Sequence, residues 1–382
     1  MAFERIPVSI LTGFLGAGKS TLLNRLLKDP DMADAAIIIN EFGDVSIDHL
    51  LVERSGDGII ELAEGCLCCT VRGELVDTLA ELMDGIQTGR LKPVKRVVIE
   101  TTGLADPAPV MQSIMGNPVI ARNFMLNGVI TVVDAVNGAS TLDHHEEAVK
   151  QVAVADRLVL TKRKLASPDT VATLVARLAH LNPRAAIEDG DQEKWSAASL
   201  LDNGLYDFAS KSADVSRWLG EEAAHDEDHH HGDHHHHDHD HHHGHDHHHH
   251  HHDVNRHNAS IRSFSIMHDR PIDPMAIEMF VDLLRSAHGE KLLRMKAIVA
   301  LSDNPDRPLV LHGVQSIFHP PQRLPAWPDP QDRRTRMVLI TKDLSEDFVK
   351  DLFAAFTGTA NIDRPDRQAM TDNPLAVPGL RF

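Results

Sequence analysis

From Pro7 to about Leu160, short apolar runs alternate with stretches whose apolar positions recur every three or four residues, which predicts a parallel β-sheet flanked by helices. Val8 to Leu11, Ala36 to Asn40, Arg96 to Glu100 and Gly128 to Val133 read as strands, with Arg157 to Leu160 a fifth. Thr21 to Leu27 and Glu74 to Met83 carry the spacing of helices packed on a sheet. The pattern then stops. Between His225 and His257 lie 20 histidines interleaved with Asp and occasional Gly, and almost nothing apolar precedes Val254. Such a segment has no material for a core and is expected to be a disordered linker. Beyond it, Ile261 to Met267 reads as a strand and Pro274 to Ala287 as an amphipathic helix. Leu292 to Leu301, Leu309 to Phe318 and Met337 to Thr341 read as further strands, an order that predicts a small α+β domain.

At 382 residues the chain exceeds what one hydrophobic core serves, so two folded domains are expected. The boundaries that follow are a first domain over 1–217, the His/Asp linker over 218–257, a C-terminal domain over 258–360 and a loosely held polar tail over 361–382. No basic stretch followed by an apolar run opens the chain and no span of ~18 apolar residues occurs, so a cytoplasmic protein without a membrane partner is expected. A net charge of −18 argues against nucleic acid as a partner and favours cations.

Gly13-Phe14-Leu15-Gly16-Ala17-Gly18-Lys19-Ser20 has the full G-x-x-x-x-G-K-S pattern, follows an apolar strand and opens a helix at Thr21. This is a P-loop, which makes the fold class α/β with a doubly wound parallel sheet of the P-loop NTPase type. The glycines let the backbone amides of Gly13 to Thr21 point at phosphates, Lys19 reaches the outer phosphates and Ser20 ligates magnesium. Glu100 closes its strand and precedes Gly103. In a P-loop sheet this strand end faces the magnesium, so Glu100 can hold the metal's water or orient the attacking water, and the Gly103 amide can meet the outermost phosphate. Leu160-Thr161-Lys162-Arg163-Lys164 sits where guanine-binding P-loop proteins carry a Thr-Lys-x-Asp or Asn-Lys-x-Asp motif, and the Lys162 stem suits the face of a base. Position 164 holds a lysine, which cannot accept from the guanine N–H groups, and the choice between GTP and ATP stays open.

All three cysteines fall within Cys66-Leu67-Cys68-Cys69, too close for a disulfide framework. Three thiolates in four residues suit one soft ion, zinc, cobalt or copper(I), with a fourth ligand or a partner to complete the shell. Inert buried thiols and a thiol-redox pair are the competing readings. The His/Asp tract offers many exchangeable sites for the same borderline metals, against the alternatives of a purification tag or a solvating spacer. His49, His144, His145, His180, His268, His288, His312 and His319 are scattered and read as surface or core-edge residues.

Taken together, these residues resemble the CobW family of P-loop GTPases. The resemblance rests on T-G-F-L-G-A-G-K-S from Thr12, on Asn40-Glu41-Phe42-Gly43-Asp44 as a first switch region, on Gly65 to Cys69 as G-C-x-C-C, and on Glu100 to Pro107 as a second switch. Leu292 to Lys296 (L-L-R-x-K), Gly313-Val314-Gln315 and Trp327 look like landmarks of the family's C-terminal domain. The resemblance implies GTP hydrolysis coupled to insertion of zinc, or cobalt, into a client metalloprotein. Nucleotide state would then set metal affinity at Cys66, Cys68 and Cys69, and metal would reciprocally alter nucleotide affinity. Glu41 and Asp44 are oxygen donors for either magnesium or zinc. The alternative is a His-rich metal buffer whose nucleotide domain is unselective. A P-loop kinase lacks an obvious acceptor-binding base.

Overall fold

The structure, a computed structural model, describes residues 5–39, 59–61, 70–192, 196–201 and 261–358. Asn40 to Asp44, Cys66 to Cys69, the histidine tract and the tail after Gly358 lie outside the described residues.

The N-terminal half is built on β1 (Ile6–Gly13), β2 (Ala35–Ile39), β3 (Ile59–Glu61), β4 (Arg96–Glu100), β5 (Phe124–Asp134), β6 (Arg157–Thr161) and β7 (Ala186–Asp189). They form one sheet in the order β3-β2-β4-β1-β5-β6-β7, with every pairing parallel. The inner strands are near-continuous apolar runs because helices cover both faces. On one face α2 (Thr70–Gln87), α3 (Ala108–Gly116) and α4 (Pro118–Asn123) pack Leu75, Leu79, Met111, Ile114 and Ile120 onto Val8, Ile10 and Ile99. Toward the other end of the sheet α5 (Gly138–His144), α6 (Glu146–Ala153) and α7 (Pro168–Leu181) bury Leu142, Val152, Leu174 and Leu178 against Leu158 and Leu160. The second face takes α1 (Lys19–Leu26) and α8 (Ala197–Leu201), through Leu22, Leu23, Leu200 and Leu201.

The C-terminal half is an antiparallel sheet, in the order β11-β10-β9-β13-β8, with β12 pairing β10. Its strands are β8 (Ile261–His268), β9 (Leu292–Val299), β10 (Leu309–Val314), β11 (Ile317–Phe318), β12 (Gln322–Arg323) and β13 (Thr335–Lys342). The single strand expected over Leu309 to Phe318 is a hairpin. Gln315 takes a left-handed backbone (φ 54) and Val314 pairs Ile317, so two residues reverse the chain. Helices α9 (Pro274–His288) and α10 (Glu346–Phe356) cover one face with Ile277, Phe280, Leu284, Val349 and Phe353.

The opposite face meets the nucleotide domain: Ile261, Leu293 and Ile340 join the core around α6 and α7, and Val314 joins that around α3. At this seam lies Asp156, fully buried, which takes hydrogen bonds from Arg294 and, at 2.6 Å, from Lys296 Nζ. Burial would raise the Asp156 carboxyl, but the two cations outweigh it and hold it far below the ordinary carboxylate range. Arg294 also donates to the Val154 carbonyl, and Gln112 Nε2 donates to Gln315 Oε1 at 2.7 Å. His312 and His319 are 4 % and 5 % exposed. They are buried residues of the second domain, which corrects their reading as surface or core-edge positions.

Candidate nucleotide site

In a parallel sheet the C-terminal ends of all strands open on one edge. There β1 ends at Gly13, whose φ of 144° brings it so close to β5 that an added Cβ would lie 2.4 Å from the Val132 carbonyl oxygen. Gly16 (φ 71) and Gly18 (φ 98) also take conformations that disfavour side chains, and Ala17 N donates to Phe14 O at 3.1 Å to close the loop. Helix α1 begins at Lys19 with no side-chain cap, so its first amides are available to an anion. Lys19 is 6 % exposed, its Nζ 3.5 Å from the Phe14 carbonyl within the loop; Thr21 is exposed on the first turn.

Strand β4 pairs β1 with Leu11 opposite Glu100, which fixes the acid beside the loop. Ser20 Oγ donates to Glu100 Oε1 at 3.0 Å, both residues being buried. Thr101 Oγ1 donates to Thr12 Oγ1 at 2.7 Å, tying the two strand ends together. Gly103 follows with no room for a side chain: a Cβ would lie 2.6 Å from Leu15 Cδ2 and 2.7 Å from Leu15 N. Between them Thr102 Oγ1 is buried and has no hydrogen-bond partner among the described residues.

Thr161 and Lys162 reach back to the same loop. Thr161 Oγ1 donates to Ala17 O at 2.7 Å, and Lys162 Nζ donates to Gly16 O at 2.9 Å and to Asp134 Oδ2 at 2.7 Å. Burial opposes ionisation of Asp134, but Lys162, Asn137 and two backbone amides prevail and lower its carboxyl. Lys162 itself is left-handed (φ 57), which turns its side chain across the phosphate loop.

The structure therefore gathers Gly13, Gly16, Ala17, Gly18, Lys19, Ser20, Thr21, Glu100, Gly103, Thr161 and Lys162 on one edge of the sheet. Glu41, Asp44, Cys66, Cys68 and Cys69 fall outside the described residues. Among the described residues no group of three His, Cys, Asp or Glu is placed to hold a metal ion, and no helix is long and apolar enough to cross a membrane. Two residues of this site escape sequence reading. Asp134 ends β5 as Glu100 ends β4, which is a weak signal. Gln151, on α6, donates from Nε2 to Gly103 O at 3.2 Å and to Ala105 O at 3.0 Å, and nothing in its sequence surroundings marks it.

A parallel sheet with a glycine-rich loop between its central strand and a helix N-terminus defines a P-loop nucleotide-binding protein. The profile described as the CobW/HypB/UreG nucleotide-binding domain matches residues 7–188, and that of the cobalamin synthesis protein CobW C-terminal domain matches residues 261–357. The zinc chaperone YjiA of Escherichia coli (strain K12) is 32 % identical over 352 residues, covering 91 % of this chain and 98 % of that protein. The zinc-regulated GTPase metalloprotein activator 1 of Dictyostelium discoideum is 28 % identical over 256 residues, covering 57 % of this chain and 52 % of that protein. The crystal structure of Zn(II)-bound YjiA GTPase from E. coli aligns with a TM-score of 0.63 at 26 % identity, over 92 % of this chain and 99 % of that one. The chain belongs to the CobW family, with both the nucleotide-binding and the CobW C-terminal domain.

Proposed function

We propose that this protein is a GTP-hydrolysing zinc chaperone that delivers its ion to a client metalloprotein. The observation that carries the reading is the buried Ser20–Glu100 pair at the mouth of a complete P-loop, in a chain similar over nearly its full length to a zinc chaperone. The names of the relatives supply the guanine nucleotide and zinc.

Magnesium fits this site, since the Ser20 hydroxyl and the Glu100 carboxylate are two hard oxygens 3.0 Å apart. Ser20 would hold the ion and Glu100 would hold it through water; bound there, it neutralises charge on the outer phosphates. The amides of Gly13 to Thr21 bind the phosphates, and Lys19 places its charge where negative charge develops on the outermost one. The Gly103 amide supports that same phosphate, while Glu100 orients the attacking water. Thr161 and Lys162 hold the base side of the loop.

Zinc is the cargo. Cys66, Cys68 and Cys69 are its thiolate ligands, and Glu41 and Asp44 are oxygen donors for either the zinc or the magnesium. Two described features support linkage of the cargo to the nucleotide. Ile39, one residue before Asn40, pairs both Glu100 and Glu61, and Glu61 ends the strand that leads to the cysteines. Residues 218–257 gather ions for the thiolates, residues 258–360 contact the client, and the reducing cytoplasm keeps the thiols free.

Turnover of GTP and of ATP, each with and without zinc, together with zinc affinity in the empty, GTP-analogue and GDP states, tests this reading. GTP preference and a zinc affinity that changes with nucleotide are expected; zinc affinity independent of nucleotide overturns the coupling.

A further inference from the structure

Lys164 occupies the position where the Thr-Lys-x-Asp pattern places an acid, so the two N–H groups on the guanine edge lack an acceptor from that loop. Three acids surround the loop among the described residues, and two of them are already engaged. Asp134 accepts from Lys162 Nζ, from Asn137 Nδ2 and from the amides of Val136 and Asn137. Asp189 is ion-paired with Arg163 at 2.8 Å and accepts from Asp191 N. The third is Asp191, and among the described residues no cation pairs with it.

Asp191 is brought to the loop by the fold. Gly190 N donates to Leu160 O at 2.6 Å, and a Cβ at Gly190 would stand 2.6 Å from that same oxygen, so the turn after β7 lies flat on the end of β6. Arg25 of the P-loop helix clamps it from the other side, donating to the carbonyls of Gly190, at 2.5 Å, and Gln192. The half-buried Asp191 carboxylate then accepts from Lys162 N at 3.1 Å through Oδ1 and from Lys164 N at 3.3 Å through Oδ2. Each oxygen of an ionised carboxylate has a second lone pair, so both can accept again, side by side. A planar pair of acceptors fixed at the Lys162 end of the P-loop is the complement of the guanine ring N–H and 2-amino group.

We infer that Asp191 is the specificity-determining residue that reads the guanine edge, from the turn after β7, in place of the acid absent at position 164. The inference rests on the GTP reading above. Adenine presents no such pair of donors there. Xanthine has a carbonyl in place of the 2-amino group, so an amide side chain at 191 would suit it better than guanine.

The test compares kcat/KM of the full chain for GTP, XTP and ATP with magnesium in the native protein, Asp191→Asn and Lys164→Asp. The native chain is expected to prefer GTP. Asp191→Asn is expected to lose at least about tenfold on GTP while gaining on XTP, an exchange that a mere cap of the loop backbone cannot produce. Lys164→Asp, which needs no tolerance at 191, is expected to leave the GTP/ATP ratio within about threefold of native, because the acceptor is already present. Equal losses on all three nucleotides in Asp191→Asn make Asp191 a loop cap only and overturn the inference, as does a large rise in GTP preference in Lys164→Asp. A native chain that does not separate GTP from ATP overturns the GTP reading itself, and the Asp191 role with it.

Discussion

At the scale of single residues, the nucleotide site depends on positions where a side chain cannot be added. Gly103 is the sharpest case, because a methyl group there would meet the backbone of Leu15 in the phosphate loop and could not be relieved by rotating a side chain. Gly103→Ala is therefore expected to lower single-turnover GTP hydrolysis by about 100-fold, the usual cost of losing one donor to a developing negative charge. GDP affinity, measured alongside by titration, should fall far less. Hydrolysis at the native rate would show that the Gly103 amide does not support the outer phosphate. The glycines, Lys19 and Ser20 were legible in the sequence because the motif is contiguous, and Glu100 because it closes an apolar strand. Asp191 was not legible: it lies 29 positions from Lys162, and only the pairing of β6 with β7 brings them together.

At the scale of elements, α6 touches both the segment that follows β4 and the C-terminal domain. Gln151 holds the carbonyls of Gly103 and Ala105, and Lys150 lies 3.8 Å from Asp106. At the first turn of the helix, Glu146 accepts from Lys342 Nζ of β13 at 2.5 Å and pairs Lys150 at 3.0 Å. Gln151→Ala removes both of these contacts and is expected to cost about 1–3 kcal/mol in urea unfolding, since a buried carbonyl and a half-buried one lose their donor. Lys342 and Lys150 hold the Glu146 carboxyl down at about 2, against an ordinary value of 4.5. The unfolded chain thus binds the proton more readily, so this stabilisation is complete above about pH 4.5 and fades as pH falls toward 2. Glu146→Gln should flatten that part of the acid limb in a stability–pH profile; the pair is half exposed to water, which keeps the effect small.

At the scale of the whole molecule, the two domains are joined through a charged centre sealed within apolar surface. Asp156→Ala leaves Arg294 and Lys296 buried without their anion and is expected to cost about 3–5 kcal/mol by chemical denaturation. Calorimetry should find the native domains unfolding together and the variant's unfolding separately; a single unaltered transition in the variant would show that the apolar contacts suffice. The C-terminal landmarks of the sequence acquire a physical meaning here. Arg294 and Lys296 of L-L-R-x-K grip Asp156, and Gln315 of G-V-Q turns the β10–β11 hairpin and meets Gln112 of α3. Trp327 instead packs on Ile298, Val310 and Val338 of the sheet, its Nε1 donating to Pro305 O at 2.6 Å.

What the sequence determined by itself was local in the chain: the alternation that makes a parallel sheet, the P-loop, the acid at the end of β4, and the grouping of the cysteines and of the histidines that we propose as sites for borderline metals. Each is carried by residues a few positions apart, where periodicity and spacing act directly. Tertiary structure decided the rest. It made Leu309–Phe318 a hairpin through one left-handed residue, buried His312 and His319 in the second domain, set Gln151 against the carbonyls of Gly103 and Ala105 and delivered Asp191 to a loop that lacks its own acid. The physical reason is that these contacts join residues on different strands and helices. Their partners are chosen by which strands pair and which faces are covered, and neighbours in the chain carry no trace of that choice.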